Sequence, residues 1–186
     1  MDRIILCSAS PRRRELLNKL IPHFDTMKSD AEEVSPYLRP HTRVMDLARK
    51  KAEILSPREG ELLISADTLV YRKGRYYGKP EDYDDAFRML RELSGRTHTV
   101  YTGVCLRSKA GEISFYDRSE VLFMDLSDEM IDRYLREFAP FDKAGAYGIQ
   151  DGVVVKSYLG SFDNIMGLPT EKLREALVEM GVKNVY

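Results

Sequence analysis

The sequence has little from which to build disulfide bonds or a membrane span. It contains two cysteines, Cys7 and Cys105, and both lie in apolar, strand-like runs. Thiols in such runs are typical of buried small hydrophobic side chains in a reducing compartment, so we expect no disulfide framework and a cytoplasmic protein. No apolar run approaches the ~20 residues that a membrane helix needs, and no signal-peptide pattern is present. We therefore expect no membrane partner.

An excess of charge of one sign is also lacking. The 29 basic and 30 acidic side chains give a net charge of −1, which argues against a nucleic-acid partner and requires any basic site to be local. Hydrophobic residues make up 43% of the 186 residues, enough for a folded core in one domain or in two closely joined lobes.

Several familiar catalytic patterns are missing as well. The GxxxxGK[ST] phosphate-binding loop does not occur, and the absence of a G-x-S-x-G elbow argues against a serine hydrolase. The histidines His23, His41 and His98 do not have the spacing of metal ligands. Of these, His98 begins a strand and could line a site, although a structural role is favoured.

Hydrophobic periodicity predicts alternating strands and helices. Strands are predicted at 3–8, 23–28, 62–71, 76–77, 97–108, 112–126 and 153–159. Helices are predicted from the caps Ser10, Thr42, Asp82 and Ser127, with a final helix at 170–180. Segment 141–152 is rich in glycine and small residues, and segment 161–169 is predicted to be a loop. Early alternation followed by a long antiparallel pair indicates an α/β fold with a mixed sheet.

The strand 64–70 carries Asp67 and Thr68 among apolar residues. Asp is disfavoured in strands, and an ionised carboxylate in a core is costly unless it is paired or binds a metal. Asp67 is therefore either a functional carboxylate or a residue that turns the chain at a strand end.

Hydroxyl and guanidinium groups are concentrated at the first strand-to-helix turn, which contains Ser10, Arg12 and Arg13. The first N–H groups of a helix and its dipole favour an anion, whereas arginines in the first turn oppose the dipole. A bound phosphate would reverse that penalty. The alternative is a solvated, capped helix face.

Three further segments have both a functional and a structural interpretation. Glu32 and Glu33 could bind Mg²⁺ or form a solvated acidic loop. Lys51, beside the apolar stripe of a helix, and Lys79, in a glycine-containing loop, could each approach a ligand or lie at the surface. Gln150, the only glutamine, ends a run of small residues and could pair with a base edge or belong to a packed loop.

Together these segments resemble the Maf family of nucleoside triphosphate pyrophosphatases, nearly from end to end. The matching motifs are Ser8–Arg13, Glu32–Glu33, Leu47–Ala52, Ala66–Thr68, Gly78–Pro80, Leu93–His98, Asp142–Gln150, Gly160–Ser161, Asn164 and Gly167–Pro169. Each motif is weakly specific, but their shared order is not expected by chance.

The resemblance implies a fold similar to that of inosine triphosphate pyrophosphatases: an elongated α/β structure with a central cleft across a mixed sheet. Residues 1–186 would form a single Maf-like domain, with or without two lobes flanking the cleft. Arg12, Thr68 and Gln150 match the branch that acts on dTTP and UTP rather than on 7-methyl-GTP.

The resemblance also implies roles for individual residues. Asp67 would be the catalytic base, and Ser10, Arg13, Lys51 and Lys79 would bind the phosphates. Mg²⁺ or Mn²⁺ would be bound by Glu33, with Glu32 or Asp67 contributing. The expected products are a nucleoside monophosphate and pyrophosphate, from common or modified pyrimidine nucleotides.

Two other expectations follow from the family. One is a nucleotide-binding regulator of septum formation and cell division, in place of an enzyme. The other is assembly as a homodimer.

Overall fold

The computed structural model describes Met1 and residues 3–186. The strands are β1 (Arg3–Leu6), β2 (Asp25–Thr26), β3 (Glu61–Arg72), β4 (Arg75–Tyr77), β5 (Thr97–Ser108), β6 (Gly111–Phe123) and β7 (Val155–Leu159). The helices are α1 (Pro11–Asn18), α2 (Pro40–Glu53), α3 (Tyr83–Leu93), α4 (Asp128–Phe138), α5 (Phe162–Met166) and α6 (Thr170–Glu179). Two 3₁₀ helices, Ala144–Ala146 and Ile149–Asp151, precede β7.

The strands belong to one mixed sheet in the order β2-β1-β3-β5-β6-β7, with β4 paired to β3. Strand β1 runs parallel to both β2 and β3, whereas β4 is antiparallel to β3 and β7 is antiparallel to β6. Early β-α alternation makes the parallel pairs. A short turn joins β3 to β4, whereas α4 and the two 3₁₀ helices lie between β6 and β7. The α/β class predicted from the sequence is confirmed.

The chain divides into two compact units, and the first comprises Met1–Asp67, Thr102–Asp117 and Gly167–Tyr186. Ala48 and Ala52 of α2 pack on Cys105 of β5 in its core. The helix approaches the strand so closely that a Cβ added to Gly103 would lie 2.4 Å from backbone atoms of Val44. Small residues at this contact therefore determine how closely α2 packs on the sheet.

The second unit comprises Thr68–Tyr101 and Arg118–Met166. Helices α3 and α4 pack together in it, and the Tyr83 hydroxyl of α3 donates to Asp132 of α4. An aromatic cluster of His98, Phe123 and Tyr147 lies in its core, with the rings edge-on to one another.

Local signals correctly predicted most helix starts. The hydroxyl or carboxylate of Ser10, Asp82 and Ser127 accepts a hydrogen bond from the backbone N–H three residues on, as an N-cap does. The two cysteines are free and buried, as predicted, and burial raises the pKa of each thiol to about 11.

Several predicted elements differ from the structure, and three differences have a local cause. Helix α2 begins at Pro40 rather than after Thr42, because proline at the first helical position is pre-organised for a helix; Thr42 instead donates to the Arg39 carbonyl. The second strand is only Asp25–Thr26, because it pairs with β1 at two positions. The segment predicted as the loop 161–169 contains α5, which starts where the Ser161 hydroxyl accepts from the N–H of Asn164.

Among the described residues, no helix combines the length and the apolar character that crossing a membrane requires.

Candidate active site

Asp67 forms a charged cluster with Lys51 and Glu33 in the first unit. The Lys51 ammonium at the end of α2 donates to Asp67 Oδ1 at 2.6 Å and to Glu33 Oε1 at 3.1 Å. The side chains of Lys51 and Asp67 are 11% and 12% exposed, whereas that of Glu33 is 59% exposed. One ammonium thus joins a buried carboxylate to a carboxylate in contact with solvent.

A hydrogen bond between β3 and α2 explains why Lys51 reaches Asp67. The buried Ser65 hydroxyl, two residues before Asp67, donates to the Ala48 carbonyl at 2.6 Å. Ala48 lies one helical turn before Lys51, so this bond holds the last turn of α2 beside the strand. The partner that a buried Asp67 requires is therefore supplied by packing.

Arg13 in the first turn of α1 is electrostatically coupled to the same cluster. Burial lowers the pKa of Arg13, and the negative charge of Asp67 works against that fall. The Arg13 Nε donates to the Gly167 carbonyl at 2.9 Å, and its Nη1 contacts Ser8 Oγ at 3.4 Å. Its position is therefore determined by contacts from two other segments.

The turn before α1 brings serine hydroxyls and arginines to a helix N-terminus. Ser10 Oγ accepts from the Arg13 N–H at 3.4 Å, and Ser8 Oγ accepts from the Ser10 N–H at 3.2 Å. Arg12 follows at the surface of the turn, and its charge also lowers the pKa of Arg13. The helix N-terminus and two guanidiniums together favour a phosphate group here.

No group of three or more His, Cys, Asp or Glu side chains that could bind a metal ion occurs in the part of the chain that the structure describes. The carboxylates of Asp67 and Glu33 nevertheless converge on one ammonium. Mg²⁺ is commonly bound by one or two carboxylates together with substrate phosphates. Asp67 and Glu33 could supply the protein carboxylates of such a site, with substrate phosphates as the remaining ligands. Glu32, next to Glu33 in the chain, is exposed.

Thr68, Lys79 and Gln150, the remaining predicted site residues, belong to the second unit. Thr68 is half-buried on β3, directly after Asp67, while Lys79 and Gln150 are exposed. The Gly78 carbonyl, next to Lys79, accepts from the Gly145 N–H at 3.0 Å. This bond joins the Lys79 loop to the segment that leads to Gln150.

Tyr134 of α4 contacts this segment, although the sequence indicates only that it lies on the apolar face of its helix. Its hydroxyl donates to Asp151 Oδ2 at 2.5 Å and accepts from the Gly148 N–H at 3.0 Å. A tyrosine on an apolar helix face was the available signal, since a buried phenol hydroxyl needs a partner. The supporting role of the Ser65 hydroxyl was not predicted from the sequence either.

His98 has the structural role that was favoured. It is buried, and its Nε2 lies 2.9 Å from the Tyr147 hydroxyl. Burial, aided by the charge of Arg72, lowers the pKa of His98 to about 3. Its imidazole is therefore neutral at physiological pH and packs within the aromatic cluster.

Comparisons with known proteins identify the family of this chain. The family described as "Maf-like protein" matches residues 3–180. A "dTTP/UTP pyrophosphatase" from Caldicellulosiruptor saccharolyticus is 41% identical, covering 97% of this chain and 96% of its own. Proteins with the same name from Porphyromonas gingivalis and Thermococcus onnurineus are each 44% identical, covering 98% and 92% of this chain and 96% of their own.

A solved structure described as a HAM1 protein from Coxiella burnetii has a TM-score of 0.52 and 15% identity, and the match covers 96% of this chain and 100% of that chain. At this identity the likeness concerns the fold alone. It confirms the expected fold class.

Proposed function

Because this chain belongs to the Maf family, we propose that it hydrolyses dTTP and UTP to the nucleoside monophosphate and pyrophosphate. The observation that carries the proposal is the buried contact of Asp67 with Lys51, beside the anion site at the start of α1. A carboxylate next to cations suits the hydrolysis of a phosphoanhydride, in which positioning and charge neutralisation supply most of the rate enhancement.

The positively charged residues bind the triphosphate in this proposal. Ser10, Arg12 and Arg13 contact phosphate oxygens at the helix N-terminus, and Lys51 and Lys79 neutralise further charge. Lys51 already bonds two carboxylates, so phosphate oxygens would take the place of the exposed Glu33 as its second partner. Substrate binding would thereby displace Glu33 from Lys51.

Asp67 acts as the general base. Its carboxylate accepts a proton from a water molecule whose oxygen attacks the α-phosphorus. The bond from that phosphorus to the bridging oxygen breaks, and pyrophosphate leaves with the electron pair. A base of this kind typically contributes about 10²–10⁴-fold to the rate.

A divalent cation, Mg²⁺ or Mn²⁺, would be bound by Glu33 and Asp67, with Glu32 nearby in the same loop. When bound, such an ion neutralises phosphate charge and polarises the attacking water.

Base selection is assigned to Thr68 and Gln150, with Arg12 as the third branch-specific residue. Uracil and thymine present the same O2, N3–H and O4 groups, so one amide pairs with either base. Cytosine exchanges the donor and acceptor at positions 3 and 4. Leaving a buried polar group mispaired costs roughly 1–3 kcal/mol, which is enough for selection against dCTP.

We place this activity in the cytoplasm. Two free, buried thiols and the absence of a disulfide between them in the structure suit a reducing compartment.

A pyrophosphate-release panel tests the proposal. Purified protein is given dTTP, UTP, dCTP, 7-methyl-GTP and modified pyrimidine triphosphates, with Mg²⁺, Mn²⁺ or EDTA. We expect the highest kcat/KM for dTTP and UTP and loss of activity in EDTA. Equal kcat/KM for dTTP and dCTP would contradict the specificity, and preference for 7-methyl-GTP would assign the chain to the other branch. Tight nucleotide binding without pyrophosphate release would instead indicate a regulatory binder.

A further inference from the structure

Tyr134 forms hydrogen bonds to residues on both sides of Gln150, one of the residues assigned to base selection. Its hydroxyl donates to the Asp151 carboxylate and accepts from the Gly148 N–H, so its two bonds flank Gln150 in the chain. The ring is 1% exposed and stacks on Phe138 of the same helix. The buried Tyr134 side chain therefore fixes the position of segment 148–151 relative to α4.

The contacts of Tyr134 extend to the Gln150 amide through Gly148. A Cβ added to Gly148 would lie 2.6 Å from Gln150 Nε2 and 2.8 Å from Asp151 Oδ2, so both side chains fold back over this glycine. The N–H of Gly148 is the group that Tyr134 accepts from. Gln150, although exposed, thus rests on backbone that Tyr134 holds in place.

We propose that Tyr134 is a positioning residue for base selection, which orients the Gln150 amide through its bonds to Gly148 and Asp151. The inference rests on the proposed function, because the orientation of Gln150 matters only if Gln150 reads the base. It deepens that function by assigning a residue that does not contact the nucleotide.

The chemistry of an amide explains why its orientation decides specificity. Rotating a glutamine amide by half a turn exchanges its oxygen acceptor and its N–H₂ donor. One orientation matches the uracil and thymine pattern, and the other matches the cytosine pattern. Loosening the segment under Gln150 should therefore relax the choice of base more than it slows the reaction at the α-phosphorus.

Tyr134→Phe tests this inference, because it removes both hydrogen bonds and keeps the ring. We expect the ratio of kcat/KM for dTTP to that for dCTP to fall by about tenfold, the effect of losing one good hydrogen bond. The kcat for dTTP should change by less than the ratio. A purely structural role would instead lower the kcat/KM values for both nucleotides equally.

Tyr83→Phe is the matched control. Tyr83 also donates its hydroxyl to a carboxylate, that of Asp132, but its partner lies on α4 rather than in the Gln150 segment. This variant should keep the wild-type ratio. A thermal-unfolding measurement on both variants shows whether each is folded.

A double-mutant cycle with Gln150→Ala tests the route of the effect. If Tyr134 acts through Gln150, adding Tyr134→Phe to Gln150→Ala should change the dTTP/dCTP ratio no further. A full additional loss in the double variant would overturn the inference. Asp151→Ala removes one of the two Tyr134 partners and should lower the ratio in the same direction, which keeps the test available if Tyr134→Phe folds poorly.

The outcomes separate this inference from the function on which it rests. A wild-type protein that releases no pyrophosphate, or that does not distinguish dTTP from dCTP, refutes the proposed function and the inference with it. A selective wild-type protein whose selectivity survives both Tyr134→Phe and Asp151→Ala refutes the inference alone.

Discussion

Asp67→Asn is the sharpest test of the catalytic assignment, because it preserves the shape of the side chain and removes its basicity. Asp67 is 8% exposed, and its Oδ1 accepts from Lys51 at 2.6 Å. The amide oxygen of asparagine can still accept from that ammonium, and Glu33 remains as its second partner. The variant should therefore fold and bind nucleotide.

The expected loss is large in kcat and small in stability. Removing a general base lowers kcat by about 10²–10⁴-fold, which corresponds to roughly 3–5 kcal/mol of transition-state stabilisation. Breaking a buried ion pair outright can destabilise a protein by about 3–5 kcal/mol. Since Lys51 keeps two acceptors in this variant, we expect the free energy of unfolding to fall by only about 1–2 kcal/mol.

The assay is initial-rate pyrophosphate release from dTTP, with kcat and KM measured separately. Asp46→Asn serves as the control, because Asp46 is a half-buried carboxylate that is likewise paired with a lysine, Lys50, at 3.2 Å. That variant should keep wild-type kcat. Near wild-type turnover in Asp67→Asn would refute the assignment of Asp67. Recovery of its activity at high Mg²⁺ concentration would show that Asp67 acts mainly by binding the metal.

Two further predictions concern the packing that supports the fold. The pKa of buried His98 lies near 3 rather than 6.5, so below pH 7 the unfolded chain binds more protons than the folded chain. The free energy of unfolding should therefore decrease as the pH is lowered. In urea unfolding, the free energy of unfolding of the wild type should decrease between pH 7 and pH 5 by about 2 kcal/mol more than that of His98→Gln. Equal decreases would contradict this prediction. Gly103→Ala places a methyl group 2.4 Å from the Val44 backbone and should destabilise the protein by about 3 kcal/mol. Gly111→Ala is the control, because open space surrounds Gly111, and it should change stability by at most about 0.5 kcal/mol. Thermal or urea unfolding measures both effects. Similar stabilities for the two glycine variants would contradict the close packing of α2.

Local physical chemistry in the sequence determined several features in advance. The caps Ser10, Asp82 and Ser127 were predictable because a capping side chain bonds a backbone N–H only three residues away. The suspicion that Asp67 is functional also came from the sequence, since a carboxylate in an apolar strand needs a partner.

The identity of that partner was decided by tertiary structure alone. Lys51 was one of two lysines with a plausible role, and nothing in its local sequence distinguishes it from a surface residue. It meets Asp67 because the Ser65–Ala48 bond joins the helix to β3, while the small residues of α2 let the helix pack closely on Cys105 of β5. Such long-range contacts depend on packing between distant segments, which residue spacing does not encode.

At the base-selection segment, too, the sequence predicted the functional side chain, and only the tertiary structure showed that Tyr134 contacts its neighbours. The sequence singled out Gln150 as the only glutamine and identified the small residues before it. The hydroxyl that holds this segment comes from a helix many residues earlier, and its two bonds exist only after α4 has packed. Sequence by itself thus determined which side chains have the right chemistry, whereas tertiary structure decided which of them meet, because burial and orientation arise from packing.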